Sequence, residues 1–238
     1  MLPNLFLVYY GFVAFHTEPL QVCADMLRQG FDVGMSLGET GIAFFNSIQH
    51  VRAALMAGDK LPSLLEKVNY YLTLTNAYQN DIAKVFHFVQ QETISILIDN
   101  GGASCLTPHA VDEPTGTTNE ILLGMIYFHR AIQAYWQGHN ERCRHYIKKV
   151  SLSATPDFWR LLFITFIDGM NSCQLLKRTS NGKLRSLPRN ESSSQLRSIP
   201  GKAIEKLKAA ASHSSSNFGN KVRYNQTLFI CSCFLYKS

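Results

Sequence analysis

Apolar residues recur at intervals of three and four along most of this chain. Such spacing places side chains on one face of an α-helix, and its first occurrence predicts a helix from about Pro19 to Leu37. A proline suits the first turn of a helix, because its missing N–H would have no partner there. The run that predicts this helix is Leu20, Cys23, Leu27, Gly30, Gly34 and Leu37.

Seven further runs follow the same spacing, and almost no segment alternates in the manner of a strand. We therefore expect an all-α fold of about eight helices. In the fourth run, the stripe predicted to be buried includes Ile82 and Val85 together with Phe86. The further runs extend from Gly41 to Leu55, Leu61 to Thr75, Ile82 to Leu97, Ile121 to Tyr135, Cys143 to Val150, Phe158 to Leu176 and Ile204 to Ala211.

Glycines mark the ends of several predicted helices. Gly38, Gly58 and Gly138 follow apolar runs, and glycine adopts the left-handed backbone of a helix C-terminus without steric cost. Thr40 would then be the N-cap of the next helix. Most helix-plus-turn units are about 20 residues long and a pair is about 40, a period typical of helical repeats. The sequence thus predicts stacked antiparallel helical hairpins that form a tetratricopeptide-like superhelix.

The stretch GMSLGETG, residues 34 to 41, has the glycine content of a loop that holds a phosphate. Such a loop needs a lysine after its glycines. No Lys or Arg lies between Arg28 and Arg52, and Glu39 would repel the anion. We interpret Gly30 and Gly34 instead as small residues that let a neighbouring helix approach closely.

Composition favours a packed intracellular chain. Of 238 residues, 46% are hydrophobic and 11% aromatic, which excludes disorder throughout. No apolar run reaches the roughly 18 to 20 residues that span a bilayer. Six cysteines, scattered mostly within apolar runs, favour reduced thiols and a cytoplasmic location. They are Cys23, Cys105, Cys143, Cys173, Cys231 and Cys233.

Positive charge concentrates in the last third of the chain. Residues 177 to 223 hold 11 Lys and Arg against 2 Asp and Glu, a local balance of +9 in a chain of net charge +6. A solvated loop is the simpler interpretation, and attachment to an acidic partner or nucleic acid is the alternative. We divide the chain into a helical-repeat domain (1–178), a polar basic loop or linker (179–200), a further helical segment of the repeat (201–223) and an atypical tail (224–238).

Few residues form a pattern that indicates catalysis or metal binding. His139 and Cys143, with His145 close by, could place two ligands on one helical face, but no third and fourth ligand follow. Cys231 and Cys233 lack the two-residue spacer of zinc knuckles and redox pairs. No nucleophile elbow or kinase motif occurs, although a triad that converges only in space stays an alternative. We predict no catalytic residue, cofactor or metal, and hence no enzyme activity in this chain.

Three stretches together resemble one family. They are PLQVCADMLRQGFDVGMSLGETGIAFFNSIQHVRAALMAGDKLPSLLEKVNYYLTL, FHRAIQAYWQGHNERCRHYIKK and AIEKLKAAASHSSSNFGNKV. They resemble the helical-repeat region of large multidomain signalling proteins. In that family a kinase-like domain and an AAA-type, STAND-like ATPase precede tetratricopeptide-like helices and a sensor or output module. The resemblance covers most of residues 1 to about 223.

The resemblance implies a regulatory scaffold that couples an ATPase module to a signalling output, with a protein or other domains of a longer parent chain as partner. The family's ATP-binding and phosphotransfer motifs lie in other domains and match no residue here. Ser216 stands where the family tends to have tryptophan, and after Val222 the sequence departs into RYNQTLFICSCFLYKS. We therefore expect a fragment or a mispredicted end.

For the interaction surface we expect a groove lined by aromatic residues, since aromatic side chains dominate interface energetics. Two alternatives belong to other classes. One is an all-α small-molecule sensor or enzyme with an enclosed pocket; the other, less expected, is a nucleic-acid binder that uses the cations of residues 177 to 223. The predicted groove residues, several of which fit a core position equally well, are Tyr70, Tyr71, Tyr78, His129, Tyr135 and Trp136.

Overall fold

The computed structural model describes residues 1–99, 120–152, 158–180, 193–214 and 217. Within those ranges all regular structure is helical and no strand occurs, so the fold class is all-α, as predicted. The helices of these ranges are α1 (Leu2–Val8), α2 (Leu20–Ser36), α3 (Thr40–Ala57), α4 (Leu61–Ala77), α5 (Asp81–Ile98), α6 (Glu120–Trp136), α7 (Asn140–Leu152), α8 (Phe158–Ser180) and α9 (Ser193–His213).

A π-helical turn, Tyr9–Val13, and a 3₁₀ turn, Ala14–His16, continue the chain after α1. Within the part of the chain that the structure describes, no helix combines the length and the apolar character needed to cross a membrane. The predicted tail, residues 224–238, and the middle of the predicted linker, residues 181–192, lie outside the described residues.

The chain divides into two compact units within α6, between His129 and Arg130. The first unit contains α1 to α5 and the start of α6, and the second contains the end of α6 and α7 to α9.

In the first unit, α2 and α3 form an antiparallel pair with a very close crossing. A Cβ atom built on Gly34 would lie 2.9 Å from the Cβ of Ala43, and one built on Gly30 would lie 2.6 Å from Oδ1 of Asn46. Real side chains do not approach so closely, because protein interiors are already packed to crystal density. The interpretation of both glycines as points of close helix approach is confirmed.

Four of the helix-to-helix turns share one backbone form. At each turn one residue has a positive φ, and the N–H that follows it donates to a carbonyl five residues earlier, as in a Schellman motif. The residues with positive φ are Gly38 (74°), Gly58 (88°), Gln79 (53°) and Gly138 (75°). The N–H to O bonds are Glu39 to Gly34 at 2.9 Å, Asp59 to Ala54 at 3.0 Å, Asn80 to Thr75 at 2.9 Å and His139 to Ala134 at 2.8 Å.

The starts of α3 and α5 differ in how they are capped. Thr40, predicted as an N-cap, is already inside α3, and Glu39 occupies the cap position without a side-chain hydrogen bond to the backbone of the helix. The reason is the compact turn at Gly38, which brings the chain into the helix one residue earlier than predicted. By contrast, the side chain of Asn80 accepts a hydrogen bond from the N–H of Ala83 at 3.0 Å and caps α5.

In the second unit, α9 begins well before the sequence predicted. Residues 193–200, assigned to a linker, form its first two turns. They are helical because Leu196 and Pro200 continue the apolar stripe of Leu207, and these three side chains are buried. Leu196 packs in one cluster with Leu175 of α8.

Candidate functional site

Three of the predicted groove residues are exposed and three are buried. Tyr70, Tyr78 and Trp136 expose 57%, 51% and 49% of their surface. The buried residues are Tyr71, His129 and Tyr135. Tyr70, Tyr71, Tyr78 and His129 belong to the first unit, and Tyr135 and Trp136 to the second.

Tyr71 of α4 is the centre of a buried polar cluster in the first unit. Its hydroxyl lies 2.9 Å from Nδ1 of His50 on α3. Its ring stacks on that of His87 from α5 at 5.2 Å and meets the ring of Phe31 from α2 edge-on at 4.9 Å. Burial raises the pKa of the Tyr71 hydroxyl, so this group stays protonated. One side chain therefore joins four helices of this unit.

Ser47, His87 and Gln90 form a hydrogen-bonded chain beside Tyr71. Nε2 of Gln90 donates to the carbonyl of Ile48 at 3.0 Å, which leaves its Oε1 to accept from Nδ1 of His87 at 2.9 Å. Oγ of Ser47 lies 2.9 Å from Nε2 of His87 and 2.8 Å from the carbonyl of Phe44. A neutral His87 with its proton on Nδ1 donates to Gln90, and its Nε2 can accept from Ser47 only when the single hydroxyl proton of Ser47 points to His87 instead of to the carbonyl of Phe44.

The order of Ser47, His87 and Gln90 resembles that of a nucleophile, a base and an orienting group. Three features weigh against catalysis here. All three side chains are buried, and a neutral amide cannot stabilise an imidazolium as a carboxylate does. Burial also lowers the pKa of His87 to about 4, far below the near-neutral value that suits a general base. The chain of bonds therefore has the character of a structural network.

The other buried groove residues also hold helices together. Nδ1 of His129 on α6 lies 3.0 Å from the hydroxyl of Thr93 on α5. In the second unit, the hydroxyl of Tyr135 accepts a hydrogen bond from Nε2 of Gln174 on α8 at 3.1 Å. These contacts favour core positions for both residues.

The possible metal ligands of α7 do not converge. Cys143 is buried and its thiol has a raised pKa because of that burial, whereas His139 and His145 are exposed. Across the described ranges, no three His, Cys, Asp or Glu side chains come together as they would around a metal ion. Cys231 and Cys233 lie outside the described residues.

An exposed apolar row lies on the outer side of α5, and its exposure was not predicted from the sequence. Ile82, Val85 and Phe88 expose 51%, 38% and 44% of their surface. The expectation that Ile82 and Val85 are buried is therefore wrong, although Phe86 is buried as predicted. The sequence does contain a sign of this exposure. Apolar residues at 82, 85, 86, 88 and 89 cover more than one face of a helix, so some of them must face away from the core.

Tyr78, at the turn before α5, extends the exposed aromatic character of this hairpin. Its ring meets that of Phe44 edge-on at 6.0 Å. The turn itself is fixed by the positive φ of Gln79 and by the cap of Asn80. Tyr78 is therefore an exposed ring on an ordered turn.

The cations of α9 do not form one stripe. At 3.6 residues per turn, Arg197 and Lys208 fall near one edge of the exposed face, while Lys202 and Lys206 fall near the other. Glu205 lies between them and pairs with Lys208 at 3.5 Å. This arrangement differs from the continuous basic face that favours nucleic-acid binding.

No protein-family model, no curated protein and no solved structure matches this chain.

Proposed function

We propose that this chain is a non-catalytic scaffold segment of helical-repeat type that binds a partner protein through the outer side of α5. The observation that carries the proposal is the exposed row Ile82, Val85 and Phe88. Such apolar rows are typical of interaction sites, since burying them on a partner is favourable. The ordered ring of Tyr78 adds an aromatic group of the kind that dominates interfaces.

The scaffold interpretation is supported by the shared backbone form of the turns. The positive-φ residues Gly38, Gly58 and Gln79 are about 20 residues apart, the period expected for one helix and its turn. Stacked units of this kind offer extended surfaces to partners. We extend the proposal to a tetratricopeptide-like superhelix that, in a longer parent, couples an ATPase module to a signalling output, as the resemblance implies.

The test is an affinity capture from cell lysate with the full chain as bait, carried out at low and at high salt. We expect wild type to retain a defined protein at high salt, and Phe88→Glu to lose it. Val22→Glu, a comparably exposed apolar position on α2, is the matched control and should retain it. Far-UV circular dichroism checks that each variant is folded.

Two results would overturn the proposal. If Phe88→Glu and wild type retain the same proteins, the outer side of α5 is not the binding surface. If only nucleic acid is recovered and salt releases it, the basic residues 177 to 223 carry the binding instead.

A further inference from the structure

The N-terminal helical segment, α1 with its π-helical turn, is apolar on two sides. Phe6 and Gly11 face inward and are buried, and Gly11 lies against α2 and α3. The opposite side exposes six large apolar side chains by 41% to 62% each. These six, called the N-terminal face below, are Leu2, Leu5, Val8, Tyr9, Phe12 and Val13. A helix that is apolar all round is normally buried on both sides.

The size of the N-terminal face matches one half of a protein interface. At about 150 to 250 Å² for a fully exposed aromatic side chain, and somewhat less for Leu and Val, the six side chains expose on the order of 500 Å². A standard interface covers about 800 Å² per partner, and roughly 65% of a homodimer interface is apolar. The N-terminal face therefore supplies about the apolar area that one subunit of a dimer needs.

Its pattern is suited to pairing with an identical helix. Leu2, Leu5 and Val8 recur every three residues along α1, and Tyr9 and Phe12 of the π-helical turn are exposed as well. Residues 1 to 17 contain no Asp, Glu, Lys or Arg, and the terminal ammonium of Met1 pairs with Glu39 at 3.3 Å, so two copies of the face can meet without burying unpaired like charges.

The same lack of charge argues against a membrane surface as the occupant. Helices that lie on a bilayer combine an apolar side with Lys and Arg on the other. Here the other side is already packed against α2 and α3, and no Lys or Arg occurs in residues 1 to 17.

We propose that the N-terminal face is the interface between two copies of this chain. In a twofold dimer the same surface serves both subunits, so each apolar residue gains a partner without a second specialised surface. The proposal does not depend on the partner-binding role of α5, because it concerns a different helix and a different occupant.

Sedimentation of the purified full chain from low to high micromolar concentration tests the proposal. We expect wild type to approach the mass of a dimer as concentration rises. Leu5→Glu and Phe12→Glu should each weaken dimerisation at least about tenfold, because the twofold axis brings two buried carboxylates close together. Val22→Glu, an exposed apolar position on α2 outside both proposed surfaces, should leave the dimer unchanged.

Several outcomes would overturn this assignment. A wild type that stays monomeric throughout would do so, and so would a dimer that persists in both Leu5→Glu and Phe12→Glu. A monomer that binds phosphatidylcholine vesicles would assign the face to a bilayer surface instead. Unchanged far-UV circular dichroism shows that a lost dimer is not the result of unfolding.

Discussion

At the scale of single residues, Gln79 holds a backbone form that suits glycine. Its φ is 53°, and the left-handed region costs a residue with a Cβ atom roughly 1 to 2 kcal/mol. Gln79→Gly should remove most of this cost, offset in part by the greater freedom of glycine in the unfolded chain. We expect the free energy of unfolding to rise by about 1 kcal/mol, measured by urea denaturation.

The matched control makes the opposite replacement, from glycine to a residue with a Cβ atom, at the equivalent turn of Gly58. Gly58 has a φ of 88°, and nothing lies within 4 Å of a Cβ atom built on it. Gly58→Ala should therefore destabilise the chain by about 1 kcal/mol through the backbone alone. If Gln79→Gly destabilises the chain as well, the turn at Gln79 depends on its side chain and the argument from φ fails.

The buried histidines make stability depend on pH. Burial lowers the pKa of His50, with a further contribution from Lys67, to about 3, and that of His87 to about 4. In an unfolded chain the value is about 6.5, so the unfolded chain binds protons more readily as pH falls. The stabilisation from neutral histidine is complete above about pH 6.5 and is lost towards pH 4 and 3. We expect the free energy of unfolding to fall by up to about 1.4 kcal/mol per pH unit for each histidine in that window.

Urea denaturation at a series of pH values measures this slope. His87→Gln should be less stable than wild type at neutral pH but should lose less stability on acidification. Tyr70→Phe changes only an exposed hydroxyl close to the cluster and should keep the wild-type slope. An identical slope for His87→Gln and wild type would show that other groups control the acid response.

At the scale of elements, the sequence predicted the helices well and their exposed faces less well. The spacing of apolar residues placed α2 and α6 within a residue of their observed bounds, because each has one clear stripe. In α5 it failed at Ile82 and Val85, since apolarity alone does not show which of two adjacent stripes meets the core. The start of α9 was missed because Pro200 and several serines are typical of a loop.

Pro200 should lower the stability of α9. It is the eighth residue of the helix, where proline removes a backbone hydrogen bond and crowds the preceding turn at a cost of about 3 kcal/mol. Part of this cost is offset, because proline lowers the conformational entropy of the unfolded chain and because its ring is buried in the folded one. We expect Pro200→Ala to raise the free energy of unfolding by about 1 to 2 kcal/mol, with greater helicity by circular dichroism.

Pro62 provides the control for this prediction. It lies in the first turn of α4, where a proline replaces no hydrogen bond. Pro62→Ala should change stability little or lower it slightly. The explanation is wrong if Pro200→Ala destabilises the chain more than Pro62→Ala does.

At the scale of the whole molecule, the buried polar cluster around Tyr71 was beyond the reach of sequence patterns. Ser47, His50 and His87 are polar, and a pattern of apolar residues assigns such positions to the surface. They are buried because α3 packs against α1, α2, α4 and α5. The partners that satisfy them are distant in sequence: Ser47 and His87 are 40 residues apart. Only the folded chain brings them together.

The division into two units predicts that a destabilising substitution in one core affects mainly the unit that contains it. Leu64 and Leu196 are fully buried, the first in the core of residues 1–129 and the second in that of 130–238. Leu64→Ala and Leu196→Ala should each cost about 2 to 5 kcal/mol in its own unit. Because proteins open in cooperative parts, amide hydrogen exchange should accelerate at least about tenfold in the substituted unit and much less in the other.

Hydrogen exchange read by mass spectrometry at the level of peptides separates the two responses. Peptides from α3 to α5 report on the first unit, and peptides from α8 and α9 report on the second. The exposed substitution Tyr70→Phe should change neither set. If Leu64→Ala and Leu196→Ala accelerate both sets equally, the chain unfolds as one cooperative body, and the shared helix α6 couples the two cores instead of dividing them.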